Sequence, residues 1–341
     1  MAAFPEPRIA VVPEHVRSAG PQLAGLARLG GVVLDGAQLF VADATTGVGA
    51  DGKWAAFESV VFAPRQTIKT EFALARILGG LFLFGEDYIA YSAHQARTTT
   101  RVFRRLKRII DRSPELGGRV ARVSNRVGSE TLELDTGQAV ECVARSTSTG
   151  RGLTGSTVIL DESHELDGDA LAALLPMLAT RPNPSVLYLL SLGNEHSSHV
   201  GGLRARALNG DPGVCWVEWS MADGDDVADP AVWLRCNPGS PERISLEYMA
   251  KEYAALGPER FARERLGQST WPSGESGEWE VIGQAAWDAC SRPSPGSPAV
   301  VAVEPVQDPE PEPGPFDPFR KWPEGLPPWV RRRGEVRSLV G

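Results

Sequence analysis

Short apolar runs recur along this chain, too brief for helices and too continuous for strands with one wet face. Ser59–Ala63, Tyr88–Ala93, Val158–Leu160, Val186–Leu190 and Val214–Trp219 are built largely from Val, Ile, Leu, Phe and Tyr. Runs of this kind predict strands buried on both faces, as in a parallel sheet covered by helices. Helical patterns fall between them. Glu71–Leu78 is predicted to stop at Gly79 and Gly80. Gln95–Arg112 carries Val102, Leu106, Ile109 and Ile110 on one side, and Asp169–Ala179, Ser245–Leu256 and Pro258–Leu266 complete the set. From Arg119 to Ala144 the pattern alternates, with a turn near Asp135–Gln138, and predicts an antiparallel excursion from the sheet. The fold class is α/β, with a mostly parallel central sheet flanked by helices.

The stretch Ser59–Thr70 runs strand, tight loop, lysine, hydroxyl, and then a helix begins. That order suits a nucleoside triphosphate. Lys69 can pair with β and γ phosphates, the Thr70 hydroxyl can ligate Mg²⁺, and the first helical N–H groups face the anion. The match to GxxxxGK[ST] is incomplete, because Ala63 and Ile68 stand where the glycines belong. A β-branched Ile resists positive φ, so an ordinary strand and helix joined by a polar loop remains an alternative here. The second signal is Val158–Leu160 ending in Asp161 and Glu162. Two carboxylates at the end of a buried strand are costly unless chemistry uses them. In a P-loop ATPase the first holds Mg²⁺ and the second orients the attacking water.

Composition adjusts this picture. The 341 residues allow one large domain or two, and the formal net charge of −8 means that a DNA partner must meet a local basic face. The Gln95–Arg112 helix supplies the best one, with six arginines and Lys107 against Asp111; a merely solvated face is the alternative. Cys142, Cys215, Cys236 and Cys290 show no CxxC spacing and read as reduced thiols. His196 and His199 have HxxH spacing without companion ligands, so metal binding there is not expected. No signal peptide, and no apolar run of membrane-spanning length, is evident.

Taken together, LDGAQ (Leu34–Gln38), DGKWAAFE (Asp51–Glu58), APRQTIKT (Ala63–Thr70), the segment Ala144–Leu166, SLGNEHS (Ser191–Ser197) and RERLGQ (Arg263–Gln268) resemble the large terminase subunits of tailed bacteriophages, particularly those of actinobacterial phages and prophages. The resemblance spans roughly Val33–Cys290. It implies a P-loop NTPase fold of the additional-strand type. It also implies an ATP-binding set of Gln38, Pro64, Arg65, Gln66, Thr67, Ile68, Lys69 and Thr70. Gln38 would read adenine, although Gly36 and Ala37 replace the Pro and Trp usual before it. Arg65, Lys69 and Glu162 would be catalytic, Thr70 and Asp161 would hold the metal, and Ser191 and Asn194 would couple hydrolysis to movement. A surface salt bridge is the plain alternative for Arg65.

Domain expectations follow: a lead-in over 1–32 whose first stretch, Met1–Arg17, lies along the surface, an ATPase motor over 33–270, a linker over 271–299, and over 300–341 a proline-rich, disordered tail or the truncated start of a nuclease domain. Twelve of the 27 prolines lie in the last 50 residues, and no endonuclease activity is expected of this chain. The implied function is Mg²⁺-dependent ATP hydrolysis driving double-stranded DNA into a procapsid. The partners would be a portal protein, a small terminase subunit and further copies of the motor, with no membrane. The location would be host cytoplasm and, transiently, the procapsid portal. An inactive prophage remnant, or a DNA-dependent helicase or repair motor, would share most of these features.

Overall fold

In a computed structural model, which describes residues 4–145, 155–166, 172 and 175–271, the apolar runs form the middle of one nine-stranded sheet. The chain passes through β1 (Ile9–Val11), β2 (Arg17–Ser18), α1 (Gly20–Leu29), α2 (Gly36–Thr45) and β3 (Gly47–Val48) before reaching β4 (Glu58–Phe62) and α3 (Lys69–Gly79). Next come β5 (Tyr88–Ala93), α4 (Ala96–Arg112), α5 (Pro114–Gly117), β6 (Val120–Ser124), β7 (Ser129–Leu134) and β8 (Ala139–Ala144). The final part holds β9 (Thr157–Asp161), β10 (Ser185–Leu190), α6 (Ser198–Leu208), β11 (Val214–Glu218), α7 (Pro230–Cys236) and α8 (Leu246–Leu266).

Sheet order is β1-β11-β4-β10-β9-β5-β8-β7-β6, parallel from β11 through β8 and antiparallel at both edges. Continuous apolar runs are needed because alternate residues of each central strand enter different cores. Val61 of β4 and Leu187 and Leu189 of β10 join the cluster beneath α1 to α4, while Val60, Phe62, Val186, Tyr188 and Leu190 join the one beneath α6. A third, smaller cluster of Met221, Trp233, Met249, Phe261 and Leu266 binds α7 to α8.

Several expectations need correction. Gly79 and Gly80 do not end α3: the helix runs on as a π-helical turn, Gly80–Phe84, and stops at Gly85 with φ 66°. Those glycines instead permit close packing, since a Cβ on Gly79 would meet Phe84 at 2.8 Å and one on Gly80 would collide with Glu86 and Ile89. The lead-in contributes β1, which pairs antiparallel with β11 and covers that edge of the sheet. In the DGKWAAFE segment Trp54 is buried and Phe57 is exposed. α8 breaks where the pattern divides it, at Gly257 with φ 73°. Most of the helix expected over Asp169–Ala179, the glycine-rich loop before β9, Cys290, the linker and the proline-rich tail lie outside the described residues. The other three cysteines are buried and free.

Candidate active site

Crevices at the carboxyl ends of parallel strands are where α/β sheets bind ligands. Here β10 lies between β4 and β9, in register with both: Leu190 is level with Phe62 and Leu189 with Asp161. The loop after β4 and the carboxylates ending β9 therefore open on the same edge, two strand spacings or about 10 Å apart. Ser191 follows β10 directly and stands between them, almost fully buried.

In the first loop, the strained residue is Gln66, with φ 64°, and not Ile68. Ile68 has φ −115° and ψ −44° and buries its side chain, so a β-branched residue fits where a glycine stands in the common motif. Thr67 donates from Oγ1 to the Pro64 carbonyl at 2.6 Å, tightening the turn from inside. No side chain caps α3, which leaves its first N–H groups to an anion from outside. The Lys69 ammonium, half-buried, donates to the Ala63 carbonyl and, at 3.0 Å, to that of Pro64. Burial pushes its pKa down to about 8; the Arg65 and Arg265 charges act the same way, and Asp161 and Glu162 oppose them. Lysine, arginine and both carboxylates are thus electrostatic neighbours in one site. Thr70 is exposed at the start of α3.

At the second loop, Asp161 has both oxygens engaged. Oδ2 accepts the Tyr91 hydroxyl at 2.6 Å and Oδ1 the Glu162 N–H at 3.0 Å. Glu162 has φ 51°, a left-handed conformation that costs a non-glycine residue about 1–2 kcal/mol. The strain turns its carboxylate out of the strand's alternation. Arg145 fastens this corner by donating to the Asp161 carbonyl at 2.6 Å and, longer, to those of Ser92 and Glu162.

Hard oxygen donors, a half-exposed aspartate and an exposed threonine hydroxyl, fit Mg²⁺, which keeps several waters and takes the rest of its shell from phosphates. No group of three or more metal-ligating side chains occurs among the described residues, and such an ion needs none. His196 is exposed, whereas His199 is turned inward onto the Tyr188 hydroxyl, so the HxxH pair diverges.

Gln38 is buried and bonded on both sides. It exchanges hydrogen bonds with Asp35 as the capping box of α2, and its Nε2 donates to the Ile68 carbonyl at 3.3 Å. It therefore fixes α2 to the loop. Beside it opens a cleft of about 490 Å³ lined by Val33, Gly36, Glu71 and Pro238–Ser240. Arg65 points outward and pairs with Glu264 at 3.0 Å. Asn194 accepts from the Ser197 hydroxyl and the His196 N–H, shaping the entrance to α6.

Sequence reasoning missed several supports. Tyr91 carried a signal, since a buried tyrosine hydroxyl in an apolar strand needs an acceptor. Arg265 gave little warning. It donates to the Arg65 carbonyl at 3.0 Å while Glu252 grips it with both oxygens. After α8, the chain returns to the site: Ser269 accepts the Gly193 N–H at 2.7 Å, and Trp271 packs at a tilt on Phe62 and edge-on to Trp216 while covering Gly193.

A lysine-bearing loop and an acidic pair separated by one inserted strand define a P-loop NTPase fold of the additional-strand type. No family model and no curated protein matches the chain. Among solved structures, the large terminase of bacteriophage HK97 shares the fold, with TM-score 0.62 and 16% identity over 73% of this chain and 55% of that one. The large terminase of thermophilic bacteriophage D6E matches at TM-score 0.49 and 10% identity, over 69% of this chain and 53% of that one. The ATPase domain of the Thermus phage P74-26 large terminase matches at TM-score 0.45 and 16% identity, over 70% of this chain and 95% of that domain. The chain spans about half the length of the HK97 and D6E proteins.

Proposed function

We propose that this chain is the ATPase of a phage DNA-packaging motor, hydrolysing Mg²⁺-bound ATP to move double-stranded DNA into a procapsid. The observation that carries the chemistry is the β4-β10-β9 order, which sets Lys69 and Thr70 across one strand from Asp161 and Glu162. The fold shared with the HK97 large terminase supports the choice of motor.

The uncapped start of α3 and the loop N–H groups bind the phosphates, and Lys69 exchanges its two carbonyl partners for phosphate oxygens. Arg65 offsets charge that develops on the transferring phosphoryl group once it leaves Glu264. Thr70 and Asp161 would hold Mg²⁺, which would neutralise phosphate charge. Glu162, set off the strand by its left-handed backbone, orients the water and takes its proton. The cleft beside Gln38 receives the nucleoside. Ser191 and Asn194, at the end of the inserted strand, pass the phosphate state toward α6. In this reading the motor works as several copies on a portal protein in the host cytoplasm, with a small terminase subunit choosing the DNA.

The test is calorimetry of Mg-ATP binding by the full chain and by Lys69→Ala. Wild type binds, and the variant loses about ten- to a hundred-fold in affinity, as expected for one or two charge-assisted hydrogen bonds. Glu162→Gln should then bind with wild-type affinity and not turn over. Failure of wild type to bind would sink the ATPase reading in favour of an inactive remnant.

A further inference from the structure

The geometry points to the outer face of α4 as the surface that grips the backbone of duplex DNA. This rests on the function proposed above only for its choice of polyanion. α4 is strongly two-sided: Thr99, Val102, Phe103, Leu106, Ile109 and Ile110 are buried against the sheet, and the opposite side is exposed. On that side Arg97, Arg101, Arg104, Arg108 and Arg112 follow one another three or four residues apart, which places them in a single line down the helix.

Among the described residues none of these five is within ion-pair distance of a carboxylate. Their neighbours Arg105 and Lys107 are paired, with Glu71 and Asp111 respectively. A chain with a net charge of −8 thus leaves five guanidinium groups unneutralised in one stripe. At the foot of the stripe Arg105, Arg108 and Arg112 close around a concavity of about 100 Å³ against Gly30 and Gly31.

The stripe is about 22 Å long at 1.5 Å per residue. A DNA strand rises about 3.4 Å per phosphate along the duplex axis, so that length spans about six base-pair steps of backbone. Planar guanidinium groups suit phosphate oxygens, and nothing in a line of like charges reads base sequence, as befits a surface that must pass any sequence. An acidic face on a second copy of the chain fits less well. The acidic loop Asp223–Asp229 has three of its four carboxylates engaged already: Asp225 pairs with Arg235, while Asp226 and Asp229 accept backbone N–H groups. The stripe also reaches the nucleotide site through its own helix, since Arg105 pairs with Glu71, the residue after Thr70.

The experiment compares wild type with the triple variant Arg101→Gln, Arg104→Gln, Arg108→Gln. A charge-matched control on α8 carries Lys251→Gln, Arg260→Gln and Arg263→Gln. Fluorescence anisotropy follows binding to a random-sequence duplex across a salt series, with sedimentation and Mg-ATP calorimetry on the same proteins. The α4 variant is expected to lose tenfold or more in DNA affinity. Its log K against log salt slope should flatten by about 2–3, at about 0.9 per phosphate contact, while the control keeps the wild-type slope. Mg-ATP binding stays unchanged in both. Equal losses in the two variants would reduce the effect to net charge and overturn the assignment. Wild-type DNA binding by the α4 variant, with altered self-association, would overturn it in favour of an interface between copies. DNA binding that depends on α4 in a wild-type chain unable to bind Mg-ATP would leave the surface standing and remove the ATPase reading instead.

Discussion

The two ends of the same parallel strands are built on opposite principles. At the amino ends every charge is answered. Arg76 is buried and held by both oxygens of Glu86, by the hydroxyls of Thr157 and Ser185, and by the rings of Trp54 and Phe84. Glu58, the first residue of β4, takes Tyr188 and Arg206. At the carboxyl ends the rules are broken instead: Gln66 and Glu162 are left-handed, α3 has no cap, and Lys69 is held below its usual pKa. Satisfied polar networks fix one geometry, whereas strained and underpaired groups are available to a ligand. The difference separates what keeps the sheet in register from what is left open to a ligand.

The largest effect should come from the satisfied end. Glu86→Gln leaves the Arg76 charge buried without its counter-ion, and breaking such a pair costs about 3–5 kcal/mol. Denaturant unfolding should show that loss while Mg-ATP affinity in the folded protein stays within about threefold, because Arg76 lies two turns beyond Lys69. A comparable loss of nucleotide affinity would mean that the two ends are mechanically one unit. The contrast would then fail.

Next comes a pair of substitutions inside the loop between β4 and α3. Ile68→Gly restores the common motif but empties a buried site, with an expected cost of about 2–5 kcal/mol and no gain in binding. Gln66→Gly, at the left-handed and exposed position, should stabilise by about 1 kcal/mol through relief of strain. Unfolding midpoints of the two variants would therefore move in opposite directions. Stabilisation by Ile68→Gly would show that the loop strain had been assigned to the wrong residue.

How much of this was legible beforehand follows the same division. The central strands were readable because burial on both faces demands unbroken apolar runs, and Asp161 and Glu162 stood out as carboxylates that such a run should not end in. The β4-β10-β9 order itself was not in the pattern, since no local signal states which strands become neighbours. Ile68 misled for a physical reason: the motif records glycine at that position, but the backbone here needs its left-handed residue two positions earlier. Gln38 was expected to read adenine; its capping box with Asp35 and its reach to the Ile68 carbonyl depend on how α2 packs on the loop. Tyr91, Arg145, Arg265 and Trp271 come from four distant segments, and only the fold brings them to one edge.

The smallest and most specific expectation concerns pH. Burial lowers Lys69 from 10.5 to about 8, so the folded state resists carrying that proton. Below about pH 8 the native fold bears the whole cost of the buried charge. Between about 8 and 10.5 the unfolded chain binds more protons than the native one, and this residue's contribution to stability rises with pH. Lys69→Met should accordingly be more stable than wild type near neutrality, with the advantage shrinking as pH climbs through that window. Nucleotide reverses the preference, because phosphate oxygens favour the ammonium form. Mg-ATP binding should then take up a proton, about half of one per site at pH 8 and most of one at pH 9, measured by calorimetry in buffers of different ionisation enthalpy. Affinity should fall toward tenfold per pH unit above about 8, and the residual binding of Lys69→Ala should lack that dependence. Proton uptake that persists unchanged in the alanine variant would place the titrating group elsewhere among the site's charges. The ammonium would then sit comfortably in its loop, and the carboxyl end of the sheet would be no more poised than the amino end.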